Sequence, residues 1–336
     1  MIAFVKTGRG AGEAALVEVA DPRPGPGEVG VRVAACGVCG SDLHAFKSDP
    51  GYEWINPPVV LGHEGAGTVV STGPGVTRFK PGDPVVPVSV QGCLECPACL
   101  EGKTNRCRWR RVMGLSHDGA MAEYAVVREE YLLPVPEGLP LETAALAEPL
   151  SVAVHAVFRA HLAPGDLVVV SGAGPIGLFC ALVARRWGAD VVVTGLEQDD
   201  ALRLEAARRH GLAAVNVTRT PVESALARRP NRWIEASGSS AALAAAFDLL
   251  VPGGRLVVVG LYPQAFTFPL NRAVRDELTI AFSYGSTFRD YDLALRLLAE
   301  GLVDKDLFVT RYPLREAARA FADAMEGRLV KAMLIP

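Results

Sequence analysis

Little in this sequence suits a nucleic-acid or membrane-surface protein. Its 336 residues carry 34 basic and 37 acidic side chains, a formal charge of −3. No electrostatic field of that size draws in polyanions. Asn and Gln are scarce and Arg far outnumbers Lys, a bias that fits a heat-adapted source or a GC-rich genome equally well. No internal repeat and no low-complexity linker occurs. The first residues, Met1–Lys6, form too short an apolar run for a signal peptide. One charge-free stretch, Leu167–Ala184, has the 18 residues of a short membrane span, but Gly172, Gly174, Pro175 and Gly177 interrupt it. Strand, tight turn and buried helix explain it better, and a cytoplasmic protein with neither nucleic-acid nor membrane partner is expected.

What is present is an ordinary globular composition, 50% hydrophobic and 21% charged, long enough for about two domains. Residues 1 to 90 read as short strands punctuated by Gly and Pro: Ile2–Val5, Glu28–Ala34, Gly67–Val70 and Asp83–Val88. That pattern predicts an antiparallel, barrel-like β domain. From 149 the pattern becomes apolar runs alternating with helical stretches. Strands are expected at Leu167–Ser171, Val191–Thr194, Arg232–Glu235, Arg255–Gly260 and Leu278–Ala281. Helices fall between them, and the whole predicts a doubly wound α/β domain with a parallel sheet. After 286 the chain turns helical and polar, then ends in a strand, Leu329–Ile335, expected to return to the first domain.

Three constellations carry chemistry. The first is Cys39 with Gly62-His63-Glu64, joined by the carboxylate of Glu148. A thiolate, an imidazole and a carboxylate are the donors a catalytic zinc takes, with one position left open. The second is Cys93-x2-Cys96-x2-Cys99-x7-Cys107, a lobe spanning about 91–111. Four thiolates can close a tetrahedron and leave nothing open, which marks a structural zinc site; an iron–sulfur cluster is the lesser alternative. Arg106, Arg108, Arg110 and Arg111 flank it, and a solvated loop face explains them better than a nucleic-acid patch. The third is Gly172-Ala-Gly174-Pro175-Ile176-Gly177, placed after a strand and opening a helix. In that setting the glycines let backbone approach a pyrophosphate at a helix N-terminus. The acidic residue expected to meet the adenosine ribose at the end of the next strand is replaced by Gly195. Glu197, or failing it Asp199, could substitute. Arg203 could meet a 2′-phosphate, but the acidic run Glu197–Asp200 opposes one, so NAD is expected ahead of NADP.

In this order the motifs resemble the zinc-dependent medium-chain dehydrogenases over essentially the whole chain. The motifs are Cys39-Gly-Ser-Asp-Leu-His44, Gly62-His63-Glu64, the four cysteines, Glu148-Pro149 and Gly172–Gly177. Glu148-Pro-Leu-Ser151 is similar to the sorbitol and threonine dehydrogenase branch. The resemblance implies a GroES-like catalytic domain of residues 1–148 and 287–336, with a Rossmann domain of residues 149–286 inserted. It implies two zinc ions per chain and a homo-oligomer, tetramer or dimer. Cys39 and His63 would bind the catalytic zinc, Glu64 directly or in exchange with water, and Glu148 directly or through water. Ser41 and His44 would pass the substrate proton out to solvent. Lys331 falls where relatives place a base near the pyrophosphate, or is an ordinary surface lysine; Cys36 and Cys180 are read as inert thiols. The expected reaction is hydride transfer from a secondary alcohol, polyol-like, to the nicotinamide. Threonine-type amino-alcohol oxidation is one alternative. A zinc-ribbon nucleic-acid or regulatory protein with a dinucleotide-sensing domain is another.

Overall fold

The structure is a computed structural model that describes residues 1–262 and 265–336. Two compact units divide it: Met1–Ser151 with Ser286–Pro336, and Val152–Gly285.

The first unit is built on a seven-stranded sheet. Its path runs Leu132–Pro134, Pro84–Pro87, Glu64–Thr72, Glu28–Gly37, Lys331–Ile335, Val309–Pro313, and Tyr124–Arg128 also pairs with Glu28–Gly37. A smaller sheet joins Ala14–Glu18, Ile2–Lys6 and Val59–Val60. Alternation in Glu28–Gly37 explains its place: Val29, Val31, Val33 and Ala35 are all buried, so one face is fixed against the core. The C-terminal strand pairs antiparallel with it, Leu334 opposite Cys36 and Met333 opposite Gly37. Gly37 itself lies opposite Glu64. The last strand expected from sequence therefore does close the first unit's sheet, from Lys331 rather than Leu329.

The second unit is a six-stranded, wholly parallel sheet. Its order is Ala213–Asn216, Asp190–Gly195, Leu167–Ser171, Arg232–Glu235, Arg255–Val258, Thr279–Phe282. The chain starts in the middle, runs to one edge and then returns to the other side, so order reverses between Leu167–Ser171 and Arg232–Glu235. That reversal is the switch point where doubly wound sheets bind nucleotides. Val168, Val169 and Val170 are fully buried, as the unbroken β-branched run requires of a central strand. The charge-free stretch is split between this strand and the helix Pro175–Arg186. A different segment, Leu141–Ala160, is the one helical stretch among the described residues long and apolar enough to span a membrane; 72% of it is buried within the fold.

Two departures from the sequence reading have local causes. Between Asp190–Gly195 and Ala213–Asn216, where a helix is expected, a π-helical turn, Asp200–Leu204, precedes the short α-helix Glu205–Arg209. The strand Ala213–Asn216, short and largely small-residued, gave no β signal yet supplies an edge of the sheet.

Candidate zinc and dinucleotide sites

Cys39 is the N-cap of the helix Gly40–Lys47, and Asp42 Oδ2 accepts its backbone N–H at 2.8 Å. The spacing Cys39-x-Ser41-Asp42-x-His44 thus sets a thiol, a hydroxyl and an imidazole on the first two turns of one helix. His63 and Glu64 come from the strand end opposite. Gly62 before them has φ +95°, and a Cβ there would lie 2.5 Å from Met121 Cγ and 2.8 Å from Cys36 Sγ. Only glycine makes that turn in that space. Ligand atoms of Cys39, His63 and Glu64 all lie within 4.8 Å of one another.

The imidazole is oriented from both sides. Asp42 Oδ1 stands 3.5 Å from His63 Nδ1, an ion-pair distance, while Ser41 Oγ lies 3.3 Å from Nε2. Neither Asp42 Oδ1 nor His63 Nδ1 has a formed hydrogen bond among the described residues. Burial pushes the His63 imidazole down, but the charges of Asp42 and Cys39 overcome it and hold it well above its ordinary value. A buried imidazole between a thiolate and two carboxylates is a place where positive charge is favoured. A metal ion fits that donor set, with Asp42 orienting the ligand from behind.

Glu64 is shared with Lys331. The Lys331 ammonium donates to Glu64 Oε1 and to Val38 O, at 3.0 Å in the second case, and also lies against Glu64 Oε2. Both side chains are almost fully buried, which corrects the reading of Lys331 as a surface lysine. Burial pushes Lys331 down, yet Glu64, with Cys39 and Glu148 adding their charges, more than offsets it and its pKa is raised. Gly37 makes room for the pair: a Cβ there would fall 2.1 Å from Glu64 Oε2 and 3.0 Å from Lys331 Cε.

Glu148, at the start of the helix Ala147–Ala160, is buried outside the three-donor set. Ser89 Oγ donates to its Oε1 at 2.7 Å. Burial raises its pKa; His63 opposes the rise and Glu64 adds to it, so the carboxylate feels both members of the cluster. His44 Nδ1 lies 2.6 Å from Asp49 Oδ2, its ring stacked on Tyr52 with centroids 5.3 Å apart.

The four cysteines of the second constellation also gather their sulfurs within 4.8 Å. Backbone N–H groups point at the sulfurs: Cys96 N–H to Cys93 Sγ, and Cys93 and Trp109 N–H to Cys107 Sγ, each at 3.3 Å. Two such bonds, from Glu95 and Cys96, draw the Cys93 thiol down to about 7. A Cβ on Gly92 would meet Cys99 Sγ at 2.6 Å, so the turn is shaped round the sulfurs. Donors aimed at four converging thiolates fit a tetrahedral zinc. Cys36 and Cys180 are buried free thiols, and burial pushes Cys180 up to about 12.

In the second unit the glycines of the fingerprint have separable reasons. Gly172 has φ +101°, and a Cβ would meet Ser237 N at 2.8 Å; on Gly177 it would meet Gly172 O at 1.9 Å. These two serve the protein's own packing. On Gly174, the N-cap of Pro175–Arg186, a Cβ would meet nothing within 4 Å. Its openness is of use to an approaching ligand, as a pyrophosphate at the helix N-terminus would be. Pro175 and Ile176 occupy the first turn.

Gly195 is packed tightly: a Cβ would lie 3.1 Å from Asp199 Cβ and Leu204 Cδ2 and 3.2 Å from Ala173 Cβ. Asp199 is spent locally, accepting from Leu196 N–H and from Arg203 Nη1, both at 2.9 Å. Arg203 is thereby pinned. Glu197 is half exposed but engaged, accepting 2.8 Å hydrogen bonds from Asn216 Nδ2 and from Arg219 Nε. Arg219 was invisible to the sequence reading, because only the pairing of Asp190–Gly195 with Ala213–Asn216 brings it beside Glu197.

Comparison with known proteins agrees with this geometry. Residues 25–137 match the alcohol dehydrogenase GroES-like domain family and residues 175–300 the zinc-binding dehydrogenase family. The sorbitol dehydrogenase of Halalkalibacterium halodurans is 34% identical over 345 residues, covering 100% of this chain and 99% of that protein. Among solved structures, galactitol-1-phosphate dehydrogenase from Escherichia coli has a TM-score of 0.91 at 27% identity, with 100% of both chains covered. An alcohol dehydrogenase of Escherichia coli CFT073 in complex with NADH also gives 0.91 at 27% identity, covering 100% of this chain and 99% of that one. The chain belongs to the zinc-dependent medium-chain alcohol dehydrogenase family. It is an oxidoreductase with the GroES-like and Rossmann folds of that family, working with zinc and a nicotinamide cofactor on a small-molecule alcohol.

Proposed function

We propose that this enzyme oxidises a secondary hydroxyl of a polyol or sugar alcohol, with NAD as the hydride acceptor and one zinc ion in each of its two clusters. The reading is supported by the likeness to sorbitol and galactitol-1-phosphate dehydrogenases. The observation that carries it is the buried carboxylate of Glu148 within electrostatic reach of His63 and Glu64. Two carboxylates beside one thiolate make a hard, oxygen-rich setting, suited to substrates that bring a second oxygen donor. Threonine-type oxidation and the nucleic-acid reading are not favoured by these relatives.

Cys39, His63, Glu64 and Glu148 would hold the catalytic zinc, and Cys93, Cys96, Cys99 and Cys107 the structural one. When bound, zinc supplies Lewis acidity that lowers the pKa of a hydroxyl, and the nicotinamide takes the hydride. The protein's own part is orientation and proton movement. Ser41 Oγ, 3.3 Å from His63 Nε2, sits at the ligand cluster and can accept the substrate's proton bond. His44, one turn on, is the next carrier towards solvent, with Asp49 holding its Nδ1. Gly174, open at the helix N-terminus, would let the backbone approach the pyrophosphate, with Gly172 and Gly177 shaping the turn that presents it. Glu197 would receive the adenosine ribose, and its charge disfavours a 2′-phosphate; Arg219 beside it keeps the preference for NAD over NADP modest. A cytoplasmic homo-oligomer, tetramer or dimer, completes the proposal. Exposed apolar side chains on the second unit, Leu270, Val274 and Phe282, support assembly.

The test is a side-by-side initial-rate comparison of sorbitol, xylitol, 2,3-butanediol and ethanol at saturating NAD. Much higher kcat/KM for one of the polyhydric substrates is expected. Ethanol as the best substrate would overturn the polyol reading while leaving the dehydrogenase family untouched.

A further inference from the structure

We propose that Tyr291 and Ser89 are positioning residues that commit one oxygen of Glu148 as a hydrogen-bond acceptor and so leave the other to meet the metal or its water. The proposal rests on reading Glu148 as part of the catalytic metal site. Tyr291 lies on the helix Phe288–Ala299, and Ser89 lies between the strands Pro84–Pro87 and Val90–Gln91. Tyr291 is fully buried, Ser89 1% exposed and Glu148 7%. No bulk water competes at the phenol or the serine hydroxyl, so each polar atom there must be satisfied within the protein.

The three groups form a chain with a single consistent direction. The backbone N–H of Ser89 donates to the Tyr291 hydroxyl oxygen at 2.9 Å. An N–H can only donate, so the phenol proton is free to turn elsewhere, and it points to Ser89 Oγ at 3.1 Å. The serine proton is then the one that reaches Glu148 Oε1, at 2.7 Å. Reversing any link would leave two donors or two acceptors facing one another. Burial, with the Glu148 charge adding to it, raises the Tyr291 pKa well above its ordinary value, so the phenol remains a donor throughout the working range. Among the described residues the polypeptide offers Glu148 Oε2 no matching hydrogen-bond donor. The carboxylate is thus presented with one oxygen tethered and one available, and its plane is set by a helix at the far end of the sequence.

The test follows zinc release from the zinc-loaded enzyme into a chromophoric chelator, with the thermal midpoint recorded in parallel. Tyr291→Phe and Ser89→Ala should each speed release from the catalytic cluster about tenfold, the lower end of the effect of losing an outer-shell partner. Because they are links of one chain, the double variant should release zinc no faster than Ser89→Ala alone. Ser89→Thr, which keeps the hydroxyl, should behave as the parent, and this pair decides the matter if Tyr291→Phe fails to fold. Multiplying effects in the double variant, or unchanged release in Ser89→Ala, would overturn the proposal. Glu148→Gln separates the two levels. Faster release in Glu148→Gln with no change in the other variants defeats the positioning role only. No change in Glu148→Gln defeats the placement of Glu148 at the metal and the positioning role with it.

Discussion

The two candidate ligand clusters of the first unit would solve opposite problems with the same element. The Cys93–Cys107 cluster is local: its sulfurs come from one turn-rich lobe, and backbone N–H groups of that same lobe point at them. The Cys39–His63–Glu64 cluster is assembled from a helix N-cap, a strand end and, through Lys331, the last strand of the chain. Four soft, equivalent donors would hold an ion and leave it no open position. Mixed donors, with Glu64 shared with Lys331 and one oxygen of Glu148 tied to Ser89, would leave a coordination position to be contested. Homogeneity goes with structure, heterogeneity with chemistry.

The contrast breaks most visibly at Cys39. Cys39→Ser should lower turnover by about a thousandfold, the several kcal/mol expected when Lewis-acid geometry is lost. Its thermal midpoint should move little, because the helix cap retains the Asp42 bond to its backbone. A large drop in midpoint with turnover preserved would mean that the two roles are exchanged. Cys96→Ser should do the reverse, lowering stability markedly because structural zinc contributes directly to folding free energy. Denaturant titration of both variants reads this out.

Lys331→Met sharpens the comparison from the other side. It leaves Glu64 as a buried carboxylate without its counter-ion, at a cost of about 3–5 kcal/mol. The loss should be largest in metal-stripped protein, since a bound cation takes over part of the compensation; equal losses with and without zinc would sink that coupling. The smallest effect lies away from both clusters. Burial, then Arg111, depresses the His117 pKa to about 4, against 6.5 in an unfolded chain. Between those values the unfolded chain takes up a proton that the folded one refuses, so this contribution is present above pH 6.5 and is lost as pH falls towards 4. His117→Gln should flatten the decline of the thermal midpoint across that window, and an unchanged slope would exclude the residue.

How much of this could be read from sequence follows from locality. The gathering of the four cysteines is legible because their spacing and turn chemistry lie within fifteen residues. The parallel sheet was legible too, since runs such as Leu167–Ser171 announce burial on both faces and the glycine turn sits directly after one. Cys39, His63 and Glu64 can be named from sequence as candidate zinc donors but not joined to Lys331, whose partner Glu64 is 267 positions away. Tyr291 carries no signal in the sequence beyond its place in a helical, polar stretch, and its hydroxyl gains meaning only from Ser89, 202 residues distant. Gly195 stands in the sequence as a gap where an acid is expected; the reason, tight packing against Asp199, Leu204 and Ala173, is a fact of three dimensions.

The most direct test of the division between the clusters is to count zinc while removing it. Elemental analysis of the intact enzyme should give two zinc ions per chain. Stepwise dialysis against a chelator, with activity and circular dichroism followed together, should abolish activity as the first ion leaves while the fold persists, and unfold the lobe only as the second leaves. One zinc or none in carefully reconstituted enzyme, or loss of fold before loss of activity, would contradict the account.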